Sequence, residues 1–325
     1  MSINSNHHDN LRDQPPAAEV HGLHKTYPSG VEAVRGIDFS AAAGEVFGLL
    51  GPNGAGKSTT IGMLTTTIRP TSGTARLAGF DVLRDPIAAR SVSSVVFQEP
   101  VIDKALSGRR NLELHARLWG VSGAAASRRI DELTEAFGLA NVAARPVDTF
   151  SGGQRRRLEI ARALVSEPKV LFLDEPTVGL DTRIRYELLD LIGGLRSDTG
   201  MCTVITTHYL DEAERLCDRI AIMHEGRIVA LDRPQALLSA LGAEIVELRV
   251  EHDPAGALAA LQGRGVARDT AFAVGGTLTL PVGEGASGAV IAAIEALGIE
   301  AQALTTRKPT LDDVYLELTG SRIAA

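Results

Sequence analysis

The chain has 325 residues, 44% hydrophobic and 22% charged, enough for one large domain with a full core and a smaller second domain. A formal net charge of −7 and a pI near 5.7 argue against a general nucleic-acid-binding protein, whose domains are usually basic. The two cysteines, Cys202 and Cys217, lack metal or redox spacing, so we expect buried apolar side chains in a reducing compartment.

The N-terminal residues, 1–18, are polar and contain prolines, and they lack the hydrophobic stretch of a secretory signal. This composition predicts a disordered tail. No apolar run in the sequence approaches the roughly 20 residues that span a bilayer. We therefore expect any membrane role to depend on a partner protein.

The segments that follow predict alternating strands and helices. From Glu19 to about Gly51 the pattern is short and strand-like, and the apolar run VFGLL predicts a strand buried on both faces. A helix is expected after Gly56, then strands in RPTSGTARLAG and SVSSVVFQ. Residues 99–150 have helical spacing and predict a helical insertion. The parallel-sheet pattern resumes in KVLFLDEP, TVITTH and RIAIM.

The composition shifts toward alanine and glycine after about Pro234. Six short segments then alternate as β-α-β-β-α-β, which predicts a small ferredoxin-like accessory module over residues 235–325. A final helix is expected in TLDDVYLELTG. This module has no catalytic constellation, and two interpretations stay open: a dimerisation or coupling element, or an inert extension of the fold.

A glycine-rich loop follows the first buried strand and precedes a helix. It fits the pattern G-x-x-x-x-G-K-[ST] and consists of Gly51, Pro52, Asn53, Gly54, Ala55, Gly56, Lys57, Ser58 and Thr59. In such a P-loop the backbone N–H groups face phosphates, the lysine meets the β/γ charge and the Ser58 hydroxyl ligates Mg²⁺. The loop predicts a nucleoside triphosphate site.

Two adjacent carboxylates stand at the end of the apolar strand VLFLDEP. Ligands of open α/β sheets bind at the carboxyl ends of the strands, so these carboxylates are expected near the P-loop. Asp174 would hold Mg²⁺, directly or through water. Glu175 would polarise the attacking water as general base, a role worth about 10²–10⁴-fold in rate.

The stretch TFSGGQRRRLEI, from Thr149 to Ile160, combines flexible backbone with the start of a helix. It offers a hydroxyl, backbone donors and a helix N-terminus but no lysine or metal ligand, so it is half of an anion site. For the arginines at 155–157, the acidic composition favours a solvated helix face over a nucleic-acid patch.

These motifs occur in one order with Gln98 after a strand, GLD at 179–181 and His208 at a strand end. The chain thereby resembles the ATP-binding subunits of ABC transporters, from about Glu19 to Pro234, with Phe150 replacing the leucine of the usual LSGGQ. The resemblance implies an α/β fold. It would be a P-loop NTPase (ABC-type) core over residues 19–234, with a helical insertion subdomain at about 99–150 and a small C-terminal α+β module.

The resemblance also implies roles for particular residues. Two subunits would pair head to tail, so that the signature segment of one chain, Ser151, Gly152, Gly153 and Gln154, closes over the γ-phosphate held by Lys57 of the other. Around that phosphate, Gln98 would approach Mg²⁺ and the attacking water, His208 would contact the phosphate, Asp181 would reach across the dimer and Tyr27 would stack on adenine.

RRRLEIARAL, TTHYLDEAE and LDDVYLELTG resemble the daunorubicin-resistance group of drug-export ATPases. The implied function is ATP hydrolysis that energises a separately encoded membrane permease, with export of drugs or other hydrophobic compounds. The chain would lie on the cytoplasmic face of the membrane and bind no nucleic acid. A soluble ABC ATPase acting on ribosomes or DNA is the alternative. The single P-loop and the absence of a heptad run argue against it.

Overall fold

The structure is a computed structural model that describes residues 15–320, with the backbone alone described for 196–199. The tail predicted for 1–18 lies outside the described residues as far as residue 14. Ala17 and Ala18 are buried, and the first strand begins at Ala18, so ordered chain starts slightly earlier than predicted. Internal contacts divide the chain into two compact units, one up to Leu231 and one from Asp232 onward.

The first unit is built from two sheets and the helices that connect their strands. Its strands are β1 (Ala18–Thr26), β2 (Glu32–Ala41), β3 (Val46–Leu50), β4 (Ser72–Leu77), β5 (Phe80–Asp81), β6 (Ser93–Val96), β7 (Val170–Asp174), β8 (Cys202–Thr207), β9 (Arg219–His224) and β10 (Arg227–Asp232). Its helices are α1 (Lys57–Leu64), α2 (Pro86–Ser91), α3 (Gly108–Leu118), α4 (Gly123–Ala136), α5 (Gly152–Leu164), α6 (Thr182–Thr199) and α7 (Leu210–Leu216).

The larger sheet places the ends of three strands together. Its order is β10-β9-β3-β8-β7-β6, and the pairs from β9 to β6 are parallel. Leu50 at the end of β3 lies opposite Thr207, and Asp174 at the end of β7 lies opposite Thr206. The segments that follow β3, β7 and β8 therefore meet at one edge of the sheet.

The smaller sheet has the order β2-β1-β4-β5 with antiparallel pairs, and it shares one hydrophobic core with the larger sheet. Every residue of β3 and β7 is buried, as expected for apolar strands covered on both faces. Phe39 of β2 stacks on Phe47 of β3, with ring centroids 5.0 Å apart. Each fully buried side chain of this size contributes about 1.5–3 kcal/mol of burial free energy.

The helical insertion between β6 and β7 contains α3 and α4 and leads into α5. The apolar faces of these helices supply buried Leu112, Leu133 and Leu158. Phe150, which stands where the family usually has leucine, packs against Gly108, where an added Cβ would lie 3.0 Å from the Phe150 ring. The larger side chain is thus accommodated beside a residue that has none.

The second unit consists of one antiparallel sheet and four described helices. Its strands are β11 (Glu244–Val250), β12 (Phe272–Val274), β13 (Thr277–Val282) and β14 (Ala301–Arg307). Its helices are α8 (Pro234–Leu241), α9 (Pro254–Gly263), α10 (Ser287–Ala296) and α11 (Leu311–Thr319). The sheet order β12-β13-β11-β14 and the β-α-β-β-α-β succession from β11 to β14 are those of a ferredoxin-like unit.

Helix α11 is fastened to its sheet by a bidentate ion pair. The Arg307 guanidinium at the end of β14 donates to both carboxylate oxygens of Asp313, at 2.6 and 2.7 Å. Asp313 also accepts from the backbone N–H of Thr310, the residue that precedes the helix. Burial acts to raise the pKa of Asp313, but the hydrogen bonds from Arg307 and Thr310 outweigh it and hold that pKa below its usual range.

Cys202 and Cys217 are both buried and unbridged, as the sequence predicted. Burial is the main cause that raises the pKa of both thiols, which suppresses the reactive thiolate. In the described part of the chain, no helix is both long and apolar enough to cross a membrane.

Candidate functional site

The P-loop, residues 51–59, turns from the end of β3 into α1. A Cβ at Gly51 would collide with the carbonyl of Met223, and a Cβ at Gly56 with the carbonyl of Ala33. Gly54 has a left-handed φ of 83°, which glycine adopts without strain. No side chain caps the start of α1. The first N–H groups of the helix have no acceptor within it, and they form a set of donors suited to an anion.

The Lys57 ammonium lies at the centre of this loop. It donates to the carbonyl oxygens of Gly51 at 2.7 Å and Pro52 at 3.2 Å. Its Nζ also lies 3.2 Å from Oε1 of Glu175, with 4% of the lysine and 6% of the glutamate side chain exposed. The lysine therefore faces the carboxylate that the sequence assigned as general base.

The carboxylate of Asp174 accepts hydrogen bonds from two hydroxyl groups. Ser58 Oγ donates to Asp174 Oδ1 at 3.2 Å, and Thr206 Oγ1 donates to the same oxygen at 2.6 Å. A carboxylate beside a serine hydroxyl is the hard oxygen donor set that Mg²⁺ prefers. The residues present thus fit the ion that the sequence implied.

The backbone of Glu175 has an unusual conformation. Its φ is +45°, in the left-handed region that residues other than glycine rarely occupy. Its N–H donates to Thr206 Oγ1 at 2.9 Å, which fixes this turn against β8. Such backbone strain is maintained where the surrounding contacts fix the conformation of the residue.

His208 follows β8 and completes the group around Glu175. Its Nδ1 lies 3.3 Å from Glu175 Oε1. This buried nitrogen has no hydrogen-bond partner within the described residues. The imidazole packs against the ring of Tyr209, with centroids 4.2 Å apart. A buried, unpaired ring nitrogen beside a P-loop is a donor or acceptor available to a ligand.

The signature segment forms the N-terminal end of α5 in the same unit. Ser151 caps α5: its Oγ accepts from Gln154 N at 3.2 Å, and Gln154 Oε1 accepts from Ser151 N at 3.0 Å. Ser151 and Gly152 are exposed, whereas Gly153 is buried against Ile184 of α6. A cavity of about 300 Å³ is lined by Gly152, the exposed Gln98 and Gly179, among others.

Asp181 and Tyr27 have local partners. The Asp181 carboxylate caps α6 by accepting from Ile184 N at 3.0 Å, and its side chain is exposed. The Tyr27 hydroxyl lies 3.3 Å from Thr59 Oγ1 on α1, which places the aromatic ring beside the P-loop helix. Lys25 Nζ sits 5.1 Å from the ring centroid.

The structure thus brings the P-loop, Asp174, Glu175 and His208 together at one edge of the sheet. It places Gln98 and one residue of the signature segment, Gly152, in the lining of one cavity. Thr206 was missed by the sequence analysis, although it contacts both carboxylate residues. The alternation in β8 could not reveal it, because every residue of that strand is buried.

The solvated face proposed for the arginines at 155–157 is wrong for Arg156. Only 8% of Arg156 is exposed, and its guanidinium donates to the carbonyl of Pro176 and to Glu159. One sequence signal was available: Gly153, Arg156 and Ile160 have the spacing of one helix face, and that face is buried. Arg157, by contrast, forms a partly exposed ion pair with Glu187.

A parallel sheet with a P-loop after one strand, and paired carboxylates at the end of another, defines a P-loop nucleoside triphosphatase. The comparisons specify the class further. The family model for ABC transporters matches residues 34–178. The chain is 41% identical over 317 residues to the daunorubicin/doxorubicin resistance ATP-binding protein DrrA of Streptomyces peucetius, covering 95% of this chain and 94% of that protein.

Solved structures agree with this result. The structure of cbiO1 from Clostridium perfringens, part of the ABC transporter complex cbiONQ, has a TM-score of 0.65 and 29% identity, covering 70% of this chain and 92% of its own. The ATP-binding cassette MJ0796, a dimer in a post-hydrolysis state with ADP and phosphate, has a TM-score of 0.61 and 25% identity, covering 66% and 98%. The chain belongs to the ATP-binding proteins of ABC transporters, and it is an ATPase.

Proposed function

We propose that this ATPase energises a separate membrane permease that exports drugs or other hydrophobic compounds, with Lys57, Asp174, Glu175 and His208 forming its hydrolytic site. The observation that supports the site best is the meeting of two groups at one carboxylate oxygen: the P-loop Lys57 Nζ lies 3.2 Å, and the His208 Nδ1 lies 3.3 Å, from Oε1 of Glu175. These are the groups that a γ-phosphate and its attacking water require.

Bound ATP would replace Glu175 as the main partner of the Lys57 ammonium. The β- and γ-phosphates of ATP attract the ammonium, which then gives up part of its contact with Glu175. The released carboxylate can accept a hydrogen bond from water and take its proton as the water attacks. His208 is placed beside Glu175 Oε1, where its unpaired nitrogen can bond a phosphate oxygen.

Ser58 and Asp174 would hold Mg²⁺, with Gln98 as a further oxygen ligand. The ion supplies charge neutralisation of the phosphate oxygens when it is bound. The Ser58 hydroxyl, which donates to Asp174 Oδ1 here, would ligate the ion, and Thr206 would still hold Asp174 Oδ1. Tyr27 stands beside Thr59 on the P-loop helix, where its ring can stack on adenine at about 1–3 kcal/mol.

The signature segment would complete the site of a second copy. Ser151 and Gly152 are exposed at a helix N-terminus, and Asp181 lies exposed at the start of α6. A second chain in head-to-tail orientation would bring a γ-phosphate to these donors. The similar cassette MJ0796 is dimeric, which supports the association of two copies.

The export role rests on relatives. DrrA of Streptomyces peucetius carries daunorubicin and doxorubicin resistance in its name, and it matches nearly the full chain. We extend that role to this chain as a peripheral subunit on the cytoplasmic face of the membrane. The rival function, action on ribosomes or DNA, is disfavoured by the net charge of −7, because nucleic-acid partners attract basic surfaces.

A transport measurement tests this function. Membranes from the native host that contain the tagged chain should yield a co-purifying integral membrane protein, and inverted vesicles with both should accumulate fluorescent daunorubicin only with ATP. Vesicles with Lys57→Ala should not. Recovery with ribosomes instead of a membrane protein, together with intact ATPase activity, would support the rival function.

A further inference from the structure

Arg156 joins three parts of the ATPase unit through one guanidinium group. Its Nε donates to the carbonyl of Pro176 at 2.7 Å, and its Nη2 donates to the carbonyls of Asp174 at 3.1 Å and Glu175 at 3.3 Å. Its Nη1 donates to the carbonyl of Phe97 at 2.7 Å. The backbone of the two site carboxylates and the residue before Gln98 are therefore bound to α5.

A second arginine of α5 holds the other end of the segment that contains Gln98. Arg162 Nη1 donates to the carbonyl of Val101, and its Nε is buried without a hydrogen-bond partner in the described structure. The carbonyls of Phe97 and Val101 bracket Gln98. Arg156 and Arg162 lie on one helix, so both ends of this short segment are tied to α5, the helix that Ser151 caps.

The charge of Arg156 is balanced inside the protein. Its Nη1 lies 2.9 Å from Glu159 Oε2, and the two side chains are 9% and 3% exposed. A planar guanidinium with donors pointing in fixed directions can serve four carbonyls and one carboxylate at once. A lysine ammonium keeps the charge but donates from a single point, so it cannot hold all of these groups.

We propose that Arg156 is a positioning residue that transmits nucleotide occupancy to the signature segment, with Arg162 as its second attachment. When a γ-phosphate displaces Lys57 from Glu175, the backbone at residues 174–176 and the Gln98 segment adjust together. Arg156 passes that adjustment to α5, which Ser151 of the signature segment caps. This inference rests on the proposed hydrolytic site.

The chain contains its own reporter of this movement. Trp119 is its only tryptophan, and it directly follows α3. Its ring lies 6.0 Å from that of His115, whose pKa is lowered to about 4 by burial first and the nearby Arg162 charge second. A shift of α5 relative to α3 changes the charge environment of this indole.

Arg156→Lys is the first test, because it leaves Glu159 with a counter-ion. Arg156→Gln with Glu159→Gln removes both charges, and Arg162→Lys loosens only the second attachment. Arg129→Lys is the matched control: Arg129 of α4 donates to the Leu164 carbonyl of α5, outside residues 97–101 and 174–176. Thermal unfolding confirms which variants are folded.

In wild type, ATP should change Trp119 emission. Arg156→Lys should have an ATP dissociation constant and a KM within about threefold of the wild-type values. Its kcat should fall about tenfold or more, because small misplacements of catalytic groups are costly. Its Trp119 response to ATP should fall at least about twofold. Arg156→Gln/Glu159→Gln should behave likewise, and Arg162→Lys should show a smaller loss. Arg129→Lys should resemble wild type in all four quantities.

Two results would overturn the inference. One is an ATP-binding wild type with no Trp119 response. The other is a folded Arg156 variant that keeps the wild-type response, even with reduced kcat, because Arg156 would then serve only local structure. If neither Arg156 variant folds, an unchanged response in Arg162→Lys overturns it. Failure of the proposed hydrolytic site is a separate result: Glu175→Gln would then keep wild-type turnover, while calorimetry still shows ATP binding to wild type.

Discussion

The Lys57 ammonium forms a buried ion pair with Glu175, with Nζ and Oε1 3.2 Å apart. The cation that binds phosphate and the carboxylate that activates water thus neutralise each other before nucleotide arrives. Removal of one partner from such a pair leaves a buried charge without compensation. The pair therefore affects the stability of the fold, the affinity for ATP and the rate of hydrolysis. Substitutions of Lys57 and of Glu175 should differ in their effects on all three quantities.

We expect Glu175→Gln to bind ATP at least as tightly as wild type and to lose turnover about 10²–10⁴-fold, because an amide cannot take a proton from water. ATP should then hold the chain as a dimer in size-exclusion chromatography. Glu187→Gln, a change of the same type at a partly exposed position of α6, should leave turnover intact. Rapid hydrolysis by Glu175→Gln would remove Glu175 from the base role.

We expect Lys57→Ala to weaken ATP binding and to lower the unfolding free energy by about 3 kcal/mol, because Glu175 stays buried without its ammonium. Combining it with Glu175→Gln should recover most of that stability but none of the affinity. Calorimetric titration and denaturant unfolding measure the two quantities. Wild-type affinity in Lys57→Ala, or equal stability of the single and double variants, would contradict the assigned roles.

Ser151→Arg should spare ATP binding to the isolated chain, because the P-loop is untouched, and it should abolish hydrolysis by blocking closure over a γ-phosphate. Mixing Ser151→Arg with Lys57→Ala gives a dimer in which one composite site is intact. That site should recover some hydrolysis, or at least ATP-dependent association if both sites must act together.

The two parent homodimers are the controls for this mixture, since each carries a lesion in every site. If the signature segment instead served the P-loop of its own chain, every site in the mixed dimer would be damaged. A verified heterodimer with neither hydrolysis nor association would therefore argue against the head-to-tail arrangement.

His115 should make the protein less stable as the pH falls below neutral. Its pKa is lowered from 6.5 to about 4, first by burial and second by Arg162. Between these values the unfolded chain binds a proton that the folded chain does not, so the unfolding free energy decreases as pH falls. After allowance for solvent screening we expect about 1–2 kcal/mol.

Denaturant unfolding at pH 7 and pH 5 measures this effect. His115→Gln should lose less stability between the two pH values than wild type does. The exposed His252 of the second unit provides the control, and His252→Gln should lose as much as wild type. Equal losses in all three proteins would show that His115 does not set this dependence.

Asp313→Asn should loosen α11 in the second unit. The change removes the charge that Arg307 grips with two hydrogen bonds, while the amide still accepts one of them. We expect a loss of about 1–3 kcal/mol, as for a hydrogen bond to a charged group, with faster amide exchange in α11. Glu317→Gln, at an exposed position of the same helix, is the matched control. Unchanged exchange in Asp313→Asn would show that α11 is held by apolar packing alone.

The sequence predicted the features that local pattern determines. Continuous apolar runs identified β3 and β7, and the motifs identified an ABC-type ATPase. The two buried cysteines also followed from composition and spacing. Each of these depends on neighbours in the sequence, where residue type and local order are sufficient.

Contacts between distant segments were not predictable in this way. Arg156 was assigned to solvent because a run of arginines in an acidic chain usually faces water, and its carbonyl acceptors lie as far away in sequence as Phe97. Thr206 looked like one more residue of a buried strand, although register places it opposite Asp174. The contacts of Arg156 and Thr206 depend on the packing of α5 against the sheet and on the pairing of its strands. Local composition does not encode either of these.

The seclusion of Cys202 and Cys217 makes the chain a convenient scaffold for labelling. Both native sulfurs are buried and their thiolates are disfavoured, so maleimide reagents should not react with them. The two cysteines therefore need not be replaced before labelling. A dye attached through Leu118→Cys, at a position 76% exposed beside Trp119, would report from the helical insertion. A second label near Ser151 would turn the chain into a molecular ruler, with which the separation of insertion and signature could be followed one molecule at a time.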